Sequence, residues 1–377
     1  MSPKIKKIAR YCFIAFNAVT IVLYLLACLV PFVSAGNYPY IALLGLGFPI
    51  LFFVVLAFLI YWLIRKSRWA LVCIAAFLLS WQQLSVVFRF RSAIDFKADK
   101  LPGTLRVLTW NLSSWGESNR ANTKDNQADM VALIKSTNAD VLCFQEFLYY
   151  KNKKYRDSII PALREAGYQY TYFEKVNFSG RLYSTAVLTG VEIMSKYPFT
   201  QTFKVLYDEK DFIEPLIYAD IKINNQTIRF FTTHLQSVNF GENDYEALYK
   251  LKEPAEASVT GSRAVLWKLK HAYKKRSLQA EILLGKIKES PYPVIVCGDF
   301  NDVPSSYTYF TVKGNLQDAF LKKGSGFGRT FRFISPTLRI DYIMADKKFD
   351  VTQYYQFKVP YSDHYPVVAD LTIGESK

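Results

Sequence analysis

The sequence predicts an α/β (α+β) domain preceded by an N-terminal transmembrane helical region. Two observations carry this reading. No charged residue lies between Arg10 and Arg65, and after Pro102-Gly103 the chain changes to short β-branched runs alternating with polar helical stretches. The charge balance divides at the same place. The chain has 377 residues and a formal net charge of +15, but its first 102 residues hold eleven basic and two acidic side chains, leaving only +6 for the rest. The excess charge therefore flanks the apolar quarter, and the remainder is too mildly basic to argue for nucleic acid on charge alone. The 16% aromatic content and five scattered cysteines exclude a disordered, collagenous or disulfide-scaffold protein.

The uncharged run is divided by the turn-rich patch Ala35-Gly36-Asn37-Tyr38-Pro39, and each half exceeds the ~20 apolar residues that cross a bilayer as a helix. The expected spans are Tyr11 to Val33, Tyr40 to Ile64 and, weakened by Ser80, Gln82 and Gln83, Trp69 to Phe88. Lys4, Lys6, Lys7 and Arg10, together with Arg65, Lys66 and Arg68, place the tail and the second inter-span loop in the cytoplasm. Three spans then put the C-terminal part outside, as in a multi-pass protein of a cell inner membrane. Arg89 and Arg91 oppose this orientation. Two other readings exist: a signal peptide cleaved near Val33-Ser34-Ala35, and a third stretch that is buried or interfacial, which leaves the C-terminal part cytoplasmic. The resulting domain division is a basic tail over 1–10, a membrane region over 11–90, a linker over 91–103 and a catalytic domain over 104–377.

In the C-terminal part, strands are expected at Leu105 to Trp110, Val141 to Phe144, Thr185 to Ser195, Leu216 to Ile223, Thr227 to His234, Val294 to Cys297, Ile340 to Ala345 and Val367 to Ile373. Helices are expected at Asn122 to Thr137, Tyr155 to Ala166 and Gly261 to Ser290. Cys143 and Cys297 lie inside apolar runs and read as small buried hydrophobes.

Polar residues recur at the ends of these strands: Asn111, Gln145-Glu146, His234, Asp299 and Asn301, Asp341, and Ser362-Asp363-His364. Strand ends converge on one rim of a sheet, so these groups can meet. Singly, each has an ordinary explanation, Glu146 or Asp299 as a solvated carboxylate, Asn111 as a turn residue, His234 as a satisfied core histidine. Asp341 is harder to dismiss, because Ile340, Tyr342 and Ile343 around it would bury a carboxylate at a cost of several kcal/mol unless it has a partner. Together the set suits phosphoester hydrolysis. Glu146, helped by Asn111 and Asp363, can hold a hard cation such as Mg²⁺, with Mn²⁺ as substitute. Asp341 can fix the tautomer of His364 and raise its pKa, making it a base or a phosphate-stabilising cation. Asp299 and Asn301 can accept from and orient a water.

In order along the chain, Leu-Thr-Trp-Asn111, Phe-Gln-Glu146, Gly-Val-Glu-Ile-Met-Ser-Lys-Tyr-Pro198, Thr-Thr-His234-Leu, Gly-Asp299-Phe-Asn301-Asp-Val-Pro304, Ile-Asp341-Tyr-Ile and Ser-Asp363-His364-Tyr-Pro366 resemble the endonuclease/exonuclease/phosphatase superfamily of DNase I-like fold. The resemblance covers Leu105 to Ile373 without departure at these positions. It implies a four-layered α/β-sandwich of two mixed β-sheets flanked by helices, and metal-dependent cleavage of a phosphodiester or phosphomonoester. It also implies Glu146 as principal metal ligand with Asn111 and Asp363 near the metal, and Asp299 positioning or deprotonating water. Asn301 then binds phosphate, His364 held by Asp341 acts as acid/base or stabilises the transition state, and His234 is a second active-site histidine. Asn111, Asn301 and His234 are the implied substrate contacts. The expected partners are a phosphoester substrate (nucleic acid, lipid headgroup or small phosphoester) and the lipid bilayer, with no obligate protein partner evident. A sphingomyelinase-like or inositol-phosphate-type activity is one alternative, and a membrane-tethered binding protein without turnover is another. The insertion from Asn239 to Lys288, with Lys268, Lys270, Lys274, Lys275 and Arg276, reads either as a basic lip or as a solvated outer helix.

Overall fold

The computed structural model describes residues 2–116, 126–150, 153–176, 187–208, 213–241, 244–246 and 259–373. The expected helix start at Asn122, the expected strand start at Thr185 and residues 242–243 and 247–258 of the charged insertion lie outside the described residues. The chain divides into two compact units. One comprises Met1–Phe88, Phe240–Ser277 and Val303–Phe310, the other Arg89–Asn239, Leu278–Asp302 and Thr311–Lys377.

In the first unit, helix α1 (Pro3–Cys28) is capped by the Ser2 side chain and followed by a short 3-10 turn, and α2 (Pro39–Ile64) starts with proline in its first turn. Both are long and apolar enough to cross a membrane. The third stretch is not the straight helix expected. It forms α3 (Trp69–Leu79) and α4 (Trp81–Val87), bent by 65° at Ser80, whose hydroxyl donates to the carbonyl of Phe77 and so competes with helical bonding. Counted as one, this pair makes a third candidate span. Contacts set the helices in register: Phe13 against Tyr61 and Trp62, Asn17 beside Cys73, and Tyr24 donating to Ser80. Helix α3 thus runs beside α1 from the Arg68 end to the Cys28 end, where Gln83 donates to the carbonyl of Cys28.

The second unit contains two six-stranded mixed sheets. The first sheet holds β1 (Thr104–Asn111), β2 (Val141–Tyr150), β3 (Tyr170–Lys175), β4 (Val187–Ser195), β11 (Phe349–Gln356) and β12 (Val367–Ile373), in the order β11-β12-β1-β2-β4-β3. The second holds β5 (Phe199–Val205), β6 (Leu216–Ile223), β7 (Gln226–His234), β8 (Val294–Asp299), β9 (Gln317–Asp318) and β10 (Asp341–Ala345), in the order β5-β6-β7-β8-β10-β9. Among the described residues only β1 with β2 and β7 with β8 run parallel, one pair near the middle of each sheet. Apolar side chains of both inner faces, among them Val107, Cys143, Ile193, Ile217, Phe230, Cys297 and Ile343, form the inter-sheet core. The outer face of the first sheet packs Leu108, Trp110, Leu142 and Phe144 with Met130 and Ile134 of α5 (Gln127–Thr137) and Leu163 of α6 (Lys153–Glu165). Helix α7 (Val259–Lys288) flanks the second sheet through its later half, and Gln279 accepts from the backbone N–H of Gln236 just after β7. The fold class inferred from sequence is the one observed.

Strands β3, β5, β9 and β11 and the short helices α8 (Tyr307–Lys313) and α9 (Ala319–Lys323) were not foreseen. Strand β5 buries no residue completely, so its apolar signal is weak. Buried ion pairs tie distant segments: Arg106 grips Asp370 with two bonds of 2.6 and 2.9 Å, and Arg339 reaches Asp318 at 2.6 Å.

Candidate active site

The C-terminal ends of the two parallel pairs meet at one rim. In the first sheet Asn111 stands opposite Gln145. In the second, His234 pairs with Asp299, and Asp299 with Asp341 across the antiparallel β8/β10 pair. Gln145 joins the sheets behind the rim, donating to Thr109 Oγ1 at 3.2 Å and Thr232 Oγ1 at 2.9 Å. Close approach of β7 and β8 requires Gly298, which has φ +141° and whose missing Cβ would run into the carbonyl of Thr233.

Glu146 reaches the rim because the β2/β4 pairing slips between Phe144 and Phe147, and its backbone is left-handed at φ 49°. Its Oε1 accepts from Asn111 Nδ2 at 3.1 Å, and the same amide donates to Asp299 Oδ2 at 3.1 Å. Asn111 Oδ1 accepts from the N–H of Ser113, and the Asn111 carbonyl accepts from Ser362 Oγ at 2.8 Å, tying β1 to the Ser362-Asp363-His364 turn.

Two carboxylate-held imidazoles face Asp299. His364 Nδ1 lies 2.9 Å from Asp341 Oδ2, and His234 Nδ1 lies 2.9 Å from Glu214 Oε2. The Nε2 atom of each ring lies 3.6 Å from Asp299 Oδ2. His234 Nε2 is also 3.9 Å from Glu146 Oε1. Asp299 Oδ1 accepts from the N–H of Asn301 at 2.7 Å, holding Asn301 at φ 52°, and Asn301 Nδ2 donates to the carbonyl of Leu235. Asp363 lies close enough to act electrostatically on both Glu146 and His364. Six of the eight side chains expected from sequence, those of Asn111, Glu146, His234, Asp299, Asp341 and His364, are therefore brought together, while Asn301 joins them by its backbone N–H and Asp363 by its charge. Glu214 was missed. It lies in a loop before β6, and only the folded chain reveals that it accepts from both His234 and the backbone N–H of Glu146 at 3.1 Å.

Burial by itself would lower the pKa of His234, but Glu214, Asp299 and Glu146 outweigh it and hold the ring at about 10. The same contest, won by Asp341 and Asp299, holds His364 well above its ordinary value. Burial raises Asp299, with Asp341 adding to the rise and the two histidines opposing it. Glu146 is raised by burial and by Asp363 and Glu214, against His234 and Asn111. At neutral pH the rim thus presents two imidazolium N–H donors beside carboxylates that gain from a further positive charge.

Ligand-type atoms of Asp299, Asp341 and His364 lie within 4.8 Å of one another. That trio has its imidazole Nδ1 already committed to Asp341, whereas Glu146 keeps about a third of its side chain open to solvent and faces further carboxylates. An oxygen-rich donor set of this kind fits Mg²⁺ or Mn²⁺ better than a soft metal.

Two mixed sheets in a four-layered sandwich, with acidic and histidine side chains gathered at the strand ends, define the DNase I-like class. The chain belongs to the endonuclease/exonuclease/phosphatase family, whose profile matches residues 108–364. Members of that family are hydrolases acting on phosphoesters, generally dependent on divalent metals. A domain of unknown function matches residues 10–87, and no curated protein matches the chain. Among solved structures, an endonuclease/exonuclease/phosphatase from Beutenbergia cavernae is similar at 22% identity and TM-score 0.53, covering 72% of each chain. The human nocturnin catalytic domain with bound sulfate is similar at 18% identity and TM-score 0.50, covering 72% of this chain and 94% of that one.

Proposed function

We propose that the protein is a membrane-anchored, divalent-metal-dependent phosphodiesterase that activates a water against a phosphoester at the membrane face. The observation that carries this reading is Asp299 set between two carboxylate-held imidazoles, with Glu146 alongside. Glu146, with Asn111 and Asp363 near it, would hold Mg²⁺ or Mn²⁺, which supplies polarisation of a phosphoryl oxygen.

The charge states assign the remaining roles. A histidine held protonated to high pH is a poor base and a good hydrogen-bond donor, so His364 and His234 offer Nε2–H to the negative charge that develops on phosphorus oxygens. Asp299, raised above an ordinary aspartate, is the better acceptor for the proton of the attacking water. Its bond to the N–H of Asn301 fixes the carboxylate, and Asn301 stands within the same loop to contact the phosphate. Asp341 positions His364, and Glu214 positions His234.

The proposed topology rests on where the basic residues fall along the helices. Arg10 and the Arg65-Lys66-Ser67-Arg68 turn lie at the end of the bundle where Phe13 meets Trp62, away from the α1–α2 loop. The positive-inside rule then puts the basic end in the cytoplasm and the α1–α2 loop outside. The bent pair α3/α4 acts as the third span and delivers the catalytic domain, residues 104–377, to the outer face. Anchoring brings lipid headgroups within reach, which favours a headgroup phosphoester over polymeric nucleic acid for a domain this mildly basic.

Full-length protein in detergent, assayed on bis(p-nitrophenyl) phosphate and on phospholipid, with Mg²⁺ and with chelator, tests the chemistry. Glu146→Ala and Asp299→Ala should each lower turnover by about 10³-fold. Unchanged activity in either variant defeats the assignment. Protease protection of the C-terminal part in spheroplasts would defeat the outward topology.

A further inference from the structure

Helix α7 carries a face that the proposed chemistry does not use. Within the helical unit, its first half packs on the loop between α1 and α2. Tyr273 clusters with Ala35 and Ala42, joined by partly buried Leu43 and Leu269. Lys270 Nζ sits 4.9 Å above the Tyr40 ring and 3.4 Å from its hydroxyl. Tyr40 belongs to the first turn of α2, where an apolar span meets the interface and where tyrosine is favoured.

Leu266, Leu269, Lys270 and Tyr273 follow the i, i+3, i+4, i+7 spacing of one helix face. The stripe that meets the loop at Leu269, Lys270 and Tyr273 therefore continues one turn further as Leu266, which is 51% exposed. Beside it Trp267 is 61% exposed, its ring 3.9 Å from that of His271. Arg263 and Lys274 are exposed on the same side of the helix, and no acidic residue occurs from Gly261 to Ala280. An exposed leucine and tryptophan bordered by cations, on a helix held against the first turn of an apolar span, have the composition of an interfacial amphipathic helix.

We infer that the first half of α7 is a second membrane contact, lying on the leaflet at the α1–α2 loop with Leu266 and Trp267 at the acyl boundary and Arg263, Lys270 and Lys274 among anionic headgroups. The inference rests on the proposed anchoring of α1 and α2. It gives the basic segment a lipid partner and leaves polyanion binding as the competing outcome.

The test uses the full chain in nanodiscs of phosphatidylcholine, with or without phosphatidylglycerol, in a Cys12→Ser background whose other four cysteines are buried. A bimane label on Leu266→Cys, and separately on Trp267→Cys, is read against lipids carrying a shallow doxyl quencher, with Phe53→Cys near the middle of α2, read against a doxyl quencher deep in the acyl chain, as reference for the span. Both α7 labels should lose about half of their fluorescence, as expected for a face at the headgroup boundary. Adding Lys274→Glu should reduce that loss at least about twofold on phosphatidylglycerol discs only. Quenching at position 53 without quenching at 266 or 267 overturns the inference and leaves the anchoring intact. No quenching at any of the three overturns both. A bimane shift on adding an oligonucleotide, with no lipid quenching, assigns the face to nucleic acid and overturns the lipid contact.

Discussion

The helical and catalytic units treat polarity in opposite ways. In the helical unit large apolar side chains point outward, Ile64 at 75% exposure and Leu78 at 72%, while Asn17, Ser80 and Gln83 are buried between helices. In the catalytic unit the interior between the sheets is apolar, and charge is buried chiefly where it is paired, as in Arg106 with Asp370, or gathered at the rim around Asp299. The difference teaches that each unit is matched to its own solvent. In the proposed lipid setting the helices can turn their apolar faces out and have few bonds to hold them together, whereas water forces the sandwich to hide its apolar surface and to pair most of the charge it buries.

That contrast can be broken most forcefully at the rim. Asp341→Asn should lower turnover by about 10²- to 10⁴-fold while leaving the fold intact, because the imidazole of His364 loses the charge that holds it protonated and oriented. The alkaline limb of the pH–rate profile should move to lower pH in the same variant. Activity and profile close to wild type would mean that this buried charge serves packing alone. Glu214→Gln should cost less, about 10- to 100-fold. It should also bring the His234 titration, followed by imidazole NMR, down from about 10. For a histidine raised in the folded state, the stability contributed by the pair is full below pH 6.5 and is lost as pH rises through about 10. The variant should therefore flatten that alkaline loss.

Away from the rim the sign reverses. Glu192 on β4 is fully buried, and neither carboxyl oxygen has a hydrogen-bond partner among the described residues. Burial raises its pKa to about 8, with Arg164 opposing. A carboxyl raised in the folded state costs stability progressively from its ordinary pKa of 4.5 up to about 8. Glu192→Met should remove that slope and stabilise the protein by about 2 kcal/mol at pH 8, read from thermal midpoints at pH 5 and pH 8. A midpoint lowered equally at both pH values would show that the carboxyl has a favourable role. The smallest effect belongs to the helical unit, where Ser80→Ala, which removes the partner of Tyr24, should cost about 0.6 kcal/mol in a detergent unfolding series.

The sequence disclosed the rim better than its supports. Strands β6, β8, β10 and β12 are mostly apolar runs, and β1 and β7 carry β-branched and apolar residues up to a polar end, so both their place and their display of Asn111, His234 and Asp299 could be read directly. Strands β5 and β11 carry few buried apolar side chains, because their sheet positions leave one side unpaired, and that pattern resembles a loop. Glu214 was illegible for another reason. Its partner His234 lies twenty positions away, beyond a β-hairpin, and nothing local marks a carboxylate whose whole purpose is met in three dimensions. The 65° bend at Ser80 was foreshadowed by Ser80, Gln82 and Gln83, read as weakness of the span when they record a change of direction.

The slip in pairing between Phe144 and Phe147 sets stability against position. A strand without that irregularity would pair evenly with β4 and gain ladder bonds, but it would turn the carboxylate of Glu146 off the rim. Deleting one residue there would even the pairing and remove the carboxylate from the proposed site. The irregular strand thus trades ladder bonds for the position of one carboxylate, and a variant with the regular strand should be sturdier and, with Glu146 in its proposed role, inactive.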